Sequence, residues 1–439
     1  MILDHIKKYI PAGIFRRLQP IYHFVMAFAA AAFYCFPARR LIVIGVTGTK
    51  GKTTVVELLH AILEEAGHNT ASLSSLRFRI RDQVIANDLK MTMPGRFFVQ
   101  KFLREAVERG VTHVVLEVTS EGIKQYRHRF IGFNVAVMTN VRPEHIEAHG
   151  GFEEYLRAKL DLFWRLPAKT SAVLNVDDPG HQRFRAATRA HIAEYGHAGI
   201  RRDDKFWPVR DASFGADRIR FDLGGREVRS ALRGEFNFYN ILAAAAVALS
   251  LHINLRHIAD GVARVKEIPG RMEFIQDKPF RVVVDYAHTP DSLGAVYGLL
   301  GGAGKKLICV LGAAGGGRDK WKRPEMGRIA ADHCDAVFLT NEDPYDEDPQ
   351  SIIADIAAGC VRRETRKEKR GKRKERPEIH KILDRGRAIR AALEFAERGD
   401  TVVITGKGAE PWIMGPGGGK TPWDDREIAR EFLEGHKKS

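Results

Sequence analysis

The hydrophobic pattern of residues 41 to about 265 alternates short β-branched runs with longer amphipathic stretches. Leu41 to Ile44 is an apolar run closed by Gly45, and residues 55–67 (VVELLHAILEEAG) place apolar side chains at helical spacing. Further strand-like runs are THVVLEVTS (112–120), NVAVMTNV (134–141) and SAVLNVDD (171–178). This alternation predicts a parallel sheet with helices on both faces, and ligand chemistry at the carboxyl ends of its strands.

A second series of strand-like runs follows the punctuation Pro269-Gly270. It comprises RVVVDYAH (281–288), KLICVLGAAGGG (306–317), DAVFLTNED (335–343) and DTVVITGKG (400–408). We therefore predict an α/β fold in three parts: an apolar helical segment over 1–40, a central parallel-sheet domain over 41–268, and a smaller Rossmann-like domain over 269–439.

The N-terminal part contains an almost continuous apolar run at residues 21–36 (IYHFVMAFAAAAFYCF). Lys7, Lys8, Arg16 and Arg17 precede this run, and Arg39 and Arg40 follow it. The run is shorter than the roughly 20 apolar residues that a spanning helix needs, and it contains a histidine. We expect a helix packed on the protein; the alternatives are a helix lying on the cytoplasmic face of the membrane and a true span. The expected location is cytoplasmic, with or without membrane association.

The stretch GVTGTKGKTT (45–54) joins the first predicted strand to the first predicted helix. A glycine-rich turn that opens a helix holds phosphates with backbone N–H groups and the helix N-terminus. The predicted phosphate-loop residues are Gly48, Thr49, Lys50, Gly51, Lys52, Thr53 and Thr54. Lys52 would face the β- and γ-phosphates, and the Thr53 hydroxyl can ligate Mg²⁺. The general pattern has glycine where Val46 stands, so a glycine-rich turn without nucleotide is the alternative.

Charge and composition narrow the range of partners. The chain is 44% hydrophobic and 28% charged, as in ordinary globular proteins, with a formal net charge of +15. Residues 362–376 (RRETRKEKRGKRKER) hold ten basic and three acidic residues and contribute +7 of this charge. We expect this run to be a solvated loop or helix end, with a contact surface as the alternative. The positive charge on the rest of the chain suits small anionic substrates such as ATP, so no nucleic-acid partner is expected.

The cysteines indicate a reducing compartment. Cys35, Cys309, Cys334 and Cys360 are far apart and form no CxxC motif. This spacing predicts neither a disulfide framework nor a structural metal site.

Two polar residues at strand ends are candidate metal ligands. Glu117 and His145 each end or closely follow a strand near the phosphate loop. Mg²⁺ prefers oxygen ligands, with an imidazole as an occasional addition. Each could equally be an ordinary polar residue at a strand end.

A dozen stretches occur in the order found in the Mur ligases. They are GTKGKTT (48–54), LEVTSEG (116–122), TNVRPEHIEAHG (139–150), YLRAKLDLF (155–163), LNVDDPG (174–180), GEFNFYNILAAAA (234–246), IPGRMEF (268–274), VVDYAHTPDSL (283–293), GGGRDKWKRPEMG (315–327), NEDPYDEDP (341–349), DRGRAI (384–389) and GDTVVITGKGAE (399–410). The chain most closely resembles the UDP-N-acetylmuramoyl-tripeptide synthetases, which add the third residue of the peptidoglycan stem peptide.

The resemblance implies an ATP-dependent ligase that joins an amino acid to a carboxylate through an acyl phosphate. Lys52, Glu117, His145 and Lys159 match the family's catalytic positions. Thr53 would bind one Mg²⁺, and Glu117 and His145 a second. Lys159 matches a lysine that is carbamylated in this family, which would make it a further metal ligand.

The resemblance also assigns binding residues. Asn237, Asn240, Arg271, Asp285, His288 and Arg318 match nucleotide positions. Thr92, Ser120, Gln125 and Arg127 match positions that hold the acceptor peptide, and Glu342, Asp343, Tyr345 and Glu410 lie where the incoming amino acid binds.

Three departures from the family pattern affect substrates. The family's uridine-nucleotide domain is replaced by about forty residues dominated by the apolar helix, Ala409 replaces a histidine, and Tyr345 replaces the arginine of D-N-P-R. Loss of that arginine beside Glu342 and Asp343 predicts a cationic or neutral incoming amino acid such as lysine, rather than diaminopimelate. The alternatives are a folylpolyglutamate-synthase-like ligase and a non-catalytic ATP-binding scaffold.

Overall fold

The computed structural model describes residues 12–144, 146–214, 218–301, 305–361 and 376–436. The strands of its first sheet are β1 (Ile42–Thr47), β2 (Thr70–Leu73), β3 (Arg77–Ile80), β4 (Gln83–Ala86), β5 (His113–Glu117), β6 (Phe133–Met138), β7 (Ser171–Asn175), β8 (His191–Gly196), β9 (Gly199–Arg202), β10 (Lys205–Phe214), β11 (Ile219–Leu223) and β12 (Arg226–Ser230). The helices of this part are α1 (Ala12–Phe33), α2 (Lys52–Glu65), α3 (Arg96–Glu108), α4 (Ser120–Lys124), α5 (Ile146–His149), α6 (Phe152–Trp164), α7 (His181–Ala186), α8 (Glu235–Ser250) and α9 (Leu255–Arg264).

The centre of the first sheet is parallel, in the order β2-β5-β1-β6-β7-β8. Side chains alternate between its two faces, so Ile44 packs with α2 and α8 while Val43 packs with α3 and α6. Because every strand here runs in the same direction, β1, β5 and β6 end at the same edge of the sheet.

The outer strands of this sheet differ from the predicted alternation. β3 and β4 form an antiparallel extension on one side, and β9 to β12 form another on the other side. The turn at Gly224 and Gly225, both with positive φ, is short enough to connect antiparallel neighbours without a crossover helix. The parallel βα pattern predicted up to about residue 265 is therefore wrong for residues 77–86 and 199–230.

The second sheet lies in the C-terminal part of the chain. Its strands are β13 (Glu273–Gln276), β14 (Arg281–Asp285), β15 (Leu307–Leu311), β16 (Ala336–Leu339), β17 (Glu378–Lys381) and β18 (Thr401–Thr405), in the order β13-β14-β18-β15-β16-β17. The helices are α10 (Pro290–Leu300), α11 (Lys322–His333), α12 (Pro349–Cys360), α13 (Arg385–Phe395) and α14 (Asp425–His436), and β19 (Trp412–Met414) pairs with β20 (Lys420–Pro422). All pairs except β13–β14 are parallel within this six-stranded sheet.

The α/β prediction is confirmed by these two sheets. The boundaries at 40/41 and 268/269 stay predictions. The prediction for the basic run at 362–376 concerns residues that, up to 375, lie outside the described part of the chain.

The cysteine prediction is wrong in one respect. Cys309 in β15 and Cys334 after α11 form a disulfide, with their Cα atoms 6.2 Å apart. Since the two residues meet only because α11 packs on the sheet, their sequence separation of 25 gave no signal. Cys35 and Cys360 are free.

The N-terminal helix α1 packs against α3. Its small residues Ala27, Ala30 and Ala31 are buried, whereas large apolar residues such as Phe28 are exposed. Within the described residues, no helix combines the length and apolar character needed to cross a membrane.

Candidate active site

The predicted phosphate loop runs from the end of β1 to the start of α2. Gly48 has φ +145°, and a Cβ there would lie 1.9 Å from Thr139 Oγ1; Gly51 has φ +84°, and its Cβ would lie 2.2 Å from Asn240 Oδ1. Glycine is required at both positions because the loop is pressed against the end of β6 and the start of α8.

Hydrogen bonds from the end of β6 fix the shape of this loop. Thr49 N donates to Asn140 O (2.8 Å), and Lys50 N donates to Asn140 Oδ1 (2.9 Å). Thr139 Oγ1 donates to Lys50 O at 2.7 Å. The loop is therefore a rigid, pre-formed turn at the sheet edge.

Lys52 places its ammonium inside the curve of the loop. Its Nζ donates to Gly48 O (3.1 Å) and Thr49 O (2.8 Å). Burial lowers the pKa of Lys52, while Glu117 and Glu144 oppose that shift. The loop thus holds a cation beside the N-terminus of α2, where anions are favoured.

Thr53 and Glu117 form an oxygen pair next to this cation. Thr53 Oγ1 donates to Glu117 Oε2 at 3.0 Å, and Ser75 N donates to the same oxygen at 3.0 Å. The pairing of Val46 with Glu117 in neighbouring parallel strands brings them together. A hydroxyl and a carboxylate fit the oxygen preference of Mg²⁺.

Of the other predicted metal ligands, only Lys159 lies within the described residues. His145 lies outside the described residues. In the described ranges, no three histidine, cysteine or acidic side chains converge as a metal cluster.

Lys159 of α6 is buried directly below the loop. Its Nζ donates to Gly48 O at 2.7 Å and lies 4.6 Å from the centre of the Tyr155 ring. Burial lowers the pKa of Lys159 well below the ordinary lysine value, and the nearby Lys52 cation adds to the effect. Burial therefore favours the neutral form of the Lys159 amine, which sequence alone did not indicate.

The C-terminal part contacts the phosphate loop through His288. Lys50 Nζ lies 2.7 Å from Glu144 Oε1 and 3.3 Å from His288 Nε2. Because a carbonyl oxygen only accepts, His288 Nδ1 donates to Tyr286 O (2.7 Å), and in the neutral ring Nε2 accepts from Lys50. Glu144 Oε1 also lies 3.1 Å from His288 Nε2. Burial and the Lys50 cation lower the pKa of His288 to about 3.

Asp285 and Arg271 stand beside this junction. Asp285 accepts hydrogen bonds from Met272 N and Ala287 N, both at 2.7 Å, and burial raises its pKa. The Arg271 guanidinium stacks 4.0 Å above the Tyr286 ring. These side chains order the segment that faces the loop.

Asn237 and Asn240 lie in the first turns of α8. Asn240 Nδ2 donates to Asn237 Oδ1 (3.1 Å), and Asn237 Nδ2 donates to Arg233 O (2.9 Å). Asn240 also contacts Gly51, so the structure brings this pair to the phosphate loop.

The predicted amino-acid site contains an unforeseen ion-pair cluster. Asp343 accepts from Lys90 Nζ (2.7 Å), Lys407 Nζ (2.8 Å) and Met414 N (2.8 Å). Glu410 accepts from the same two lysines. Burial opposes ionisation of Glu410, but the two lysines outweigh it and lower its pKa to about 2. Two carboxylates thus face two ammonium groups, and the site is not a free acidic pocket.

Glu342, Tyr345 and Arg318 surround this cluster. Tyr345 OH accepts from Arg318 Nη2 at 2.9 Å. Glu342 is buried, its pKa is raised by burial, and its Oε2 has no hydrogen-bond partner within the described part of the chain. Arg318 therefore contacts one of the predicted amino-acid residues, and its assignment to the nucleotide stays a prediction.

The predicted acceptor residues form a third group, between α3 and α4. Arg127 Nη2 donates to Gln125 Oε1 at 2.7 Å, and Arg127 Nη1 donates to Met93 O, next to Thr92. Ser120 Oγ lies 3.1 Å from His149 Nε2. Gln125, Arg127 and Thr92 are thus neighbours, while Ser120 contacts α5.

Comparisons with known proteins identify the family of the chain. Residues 46–248 match the Mur ligase middle domain, and residues 270–408 match the Mur ligase glutamate ligase domain. The chain belongs to the Mur ligase family. It is a ligase that forms carbon–nitrogen bonds.

Several Mur ligases are similar over most of their length. The UDP-N-acetylmuramyl-tripeptide synthetase of Roseiflexus sp. (strain RS-1) is 38% identical, over 92% of this chain and 81% of its own. The UDP-N-acetylmuramoyl-L-alanyl-D-glutamate–2,6-diaminopimelate ligase of Syntrophomonas wolfei is 37% identical, over 94% of this chain and 82% of its own. A solved diaminopimelate ligase of this kind has a TM-score of 0.60 at 30% identity, covering 91% of this chain and 79% of its own.

A more distant likeness concerns the fold alone. Mycobacterium tuberculosis folylpolyglutamate synthase complexed with ADP and AMPPCP has a TM-score of 0.68 at 19% identity, covering 87% of this chain and 91% of its own.

Sequence reasoning missed several residues in this Mur ligase. Glu144 contacts Lys50 of the loop, the Tyr155 hydroxyl lies 2.8 Å from Thr49 Oγ1, and Lys322 Nζ donates to His288 O at the junction (3.1 Å). Lys90 and Lys407 lie at the amino-acid end. Glu144 and Tyr155 stand inside quoted motifs, so their position was a usable signal. Lys90 lies in an irregular segment, and only the fold shows that it reaches Asp343.

Proposed function

We propose that this Mur ligase uses ATP and Mg²⁺ to join an amino acid to a peptidoglycan precursor such as UDP-N-acetylmuramoyl-dipeptide. The observation that carries the proposal is the convergence of the Lys52 ammonium with the Thr53–Glu117 oxygen pair at one sheet edge. The names of the similar proteins, tripeptide synthetase and diaminopimelate ligase, support the precursor class. We also propose the division at 40/41 and 268/269.

The reaction would proceed in two balanced steps. An acceptor carboxylate oxygen attacks the γ-phosphorus of ATP, which forms an acyl phosphate and releases ADP. The amino group of the incoming amino acid then attacks the acyl carbon, phosphate leaves, and one proton is lost from nitrogen. Lys52 would stabilise the charge on the phosphates, and Mg²⁺ at Thr53 and Glu117 would supply further positive charge there.

The nucleotide would extend from the loop towards both Asn237 with Asn240 and Asp285 with His288. Arg271, stacked beside this junction, would be the nearest guanidinium on the C-terminal side. His145 is proposed as a metal ligand on the family pattern alone.

Lys159 is proposed to carry a carbamate. Addition of CO₂ to its amine forms a carbon–nitrogen bond and releases one proton, which converts a cation into an anion able to bind Mg²⁺. Only the neutral amine reacts, and the lowered pKa of Lys159 favours that form.

The incoming amino acid is proposed to be lysine or another cationic or neutral one. Asp343 and Glu410 already bind the ammonium of Lys90, so a substrate ammonium could take the same place. Because Lys90 and Lys407 balance both carboxylates, a cationic substrate must first displace Lys90. Gln125, Arg127, Thr92 and Ser120 remain the proposed acceptor contacts.

The test is release of ADP by the purified protein with UDP-N-acetylmuramoyl-dipeptide and a panel of amino acids. We expect release to require both the acceptor and an amino acid. Release that needs neither would refute a ligase reaction on this acceptor, and activity only with a folate acceptor would favour the folylpolyglutamate alternative. Preference for diaminopimelate would refute the amino-acid assignment alone.

A further inference from the structure

Helix α1 has its large apolar residues on the outside. Leu18, Ile21, Tyr22, Phe24, Val25, Phe28 and Phe33 are 36–73% exposed, whereas Ala27, Ala30 and Ala31 are at most 1% exposed. Spacings of three and four residues place most of the large side chains on one side. A helix that served only to cover the protein would bury these residues and expose the alanines.

The apolar surface continues beyond α1. The ring centroids of Phe24 and Phe28 lie 5.3 and 5.4 Å from that of Phe130. The ring centroid of Phe33 lies 6.4 Å from that of Phe97, and Phe97 is also exposed. We call the seven exposed α1 residues together with Phe97 the α1 face. A continuous apolar surface of this kind marks an interaction site.

Positive charges border the α1 face. Arg17 lies before it, Arg39 and Arg40 follow it, and the Arg129 guanidinium lies 5.8 Å from the Phe24 ring. Residues 12–41 contain no aspartate or glutamate. Apolar side chains bordered by cations match an anionic bilayer surface. A second copy would instead bring two sets of arginines together.

The helix is tied directly to the proposed acceptor residues. Arg96 Nη2 donates both to His23 Nδ1 of α1 (2.8 Å) and to Gln125 O (2.8 Å). Gln125 in turn accepts from Arg127. A membrane in contact with the α1 face would therefore lie next to the acceptor end of the site.

We propose that the α1 face lies in the interface of an anionic membrane, and that the acceptor is a glycopeptide carboxylate carried on a lipid anchor. The acceptor half of this inference rests on the proposed function. The docking half, the inference that the α1 face binds a membrane, does not depend on the proposed function. Because α1 packs on the protein through Ala27, Ala30 and Ala31, its exposed face would lie along the membrane surface.

Vesicle flotation tests the docking half with the full-length protein. We expect binding to phosphatidylglycerol vesicles at least about tenfold tighter than to phosphatidylcholine vesicles. Phe28→Glu should lose at least about tenfold in affinity. The control is Phe206→Glu on β10, because Phe206 is 47% and Phe28 50% exposed; its binding should not change. The proposal would be overturned if Phe28→Glu and Phe206→Glu bound the vesicles equally, or if the wild type did not bind them. A wild-type dimer that Phe28→Glu abolished would also overturn it.

A comparison of two acceptors tests the other half. The same N-acetylmuramoyl-dipeptide is supplied as the soluble uridine nucleotide or as a polyprenyl pyrophosphate in the vesicles. We expect faster ADP release with the lipid form, and Phe28→Glu should slow only that reaction. Equal rates would overturn the lipid-anchored acceptor. No ADP release with either form, despite vesicle binding, would instead refute the proposed function.

Discussion

The central and C-terminal parts of the chain meet at two lysine-bridged junctions with different chemistry. At the phosphate loop, Lys50 lies between one carboxylate, Glu144, and the neutral imidazole of His288. At the amino-acid end, Lys90 joins Lys407 in pairing with two carboxylates, Asp343 and Glu410.

The charge of an acidic motif therefore depends also on the cations that contact it in the fold. The segment at 342–346 is acidic in sequence, yet Lys90, which precedes Asp343 by 253 residues, forms an ion pair with the Asp343 carboxylate. At the loop, by contrast, burial and the Lys50 cation lower the pKa of His288, although its Nε2 also lies 3.1 Å from Glu144 Oε1. The stability contributed by His288 at the nucleotide junction should therefore begin to fall as the pH drops below about 6.5, where the unfolded chain takes up a proton. The amino-acid junction should instead respond to the charge of the substrate.

The largest expected effect is at the nucleotide end. Lys52→Ala removes the cation held inside the loop, and we expect acceptor-dependent ADP release to fall by about 10³-fold. The control is Lys101→Ala on the exposed side of α3, which should retain full activity. Turnover near the wild-type rate in Lys52→Ala would show that the loop does not bind the reacting phosphates.

The next effect concerns the buried amine below the loop. Lys159→Ala should lower activity by about 10²-fold, because an anionic ligand is removed. A small carboxylate such as acetate or propionate should partly restore activity in this variant, whereas bicarbonate alone should not. Lys52→Ala should not respond to either addition. Unchanged activity in Lys159→Ala would refute the carbamate.

Much of the nucleotide end could be predicted from sequence. Lys52 and Thr53 follow a strand and open a helix, and parallel strands end at one edge, so Glu117 had to lie near them. Asn140, Asn240 and His288 were also quoted within motifs. The positions of Lys52, Thr53 and Glu117 could be predicted because they depend on local geometry and on a general property of parallel sheets, whereas Asn240 and His288 followed only from the family resemblance.

The remainder depends on contacts that no local pattern encodes. Lys90 reaches Asp343 only through the packing of two sheets, and the Cys309–Cys334 disulfide depends on how α11 lies. Hydropathy predicted a helix at 21–36 but could not show that alanines, rather than Phe24 or Phe28, face the protein. The resemblance likewise did not indicate that the Arg318 side chain contacts Tyr345.

A smaller effect is expected at the amino-acid junction. Lys90→Met keeps the length of the side chain but frees one ammonium site between Asp343 and Glu410. The KM for lysine should fall by about tenfold relative to that for norleucine, which corresponds to ~1.4 kcal/mol. Steady-state ADP release with the two amino acids measures the ratio. An unchanged ratio would show that substrate and Lys90 do not share this site.

The smallest expected effect is a difference between the two junctions in how their contribution to stability depends on pH. The pKa of His288 is lowered from 6.5 to about 3, and that of Glu410 from 4.5 to about 2. In each case the unfolded chain binds a proton that the folded chain does not, so the free energy of unfolding falls as pH decreases between those two values. The windows are therefore pH 6.5 to 3 for His288 and pH 4.5 to 2 for Glu410.

Melting temperatures measured from pH 7 to 5 should resolve this difference. His288→Gln should show a flatter decline than the wild type, because it lacks a term of up to about 1.4 kcal/mol per pH unit. Glu410→Gln should be less stable but should keep the wild-type slope in this range, since its window begins near pH 4.5. If the slope in His288→Gln equals that of the wild type, His288 is not held neutral beside Lys50, and the contrast between the two junctions fails.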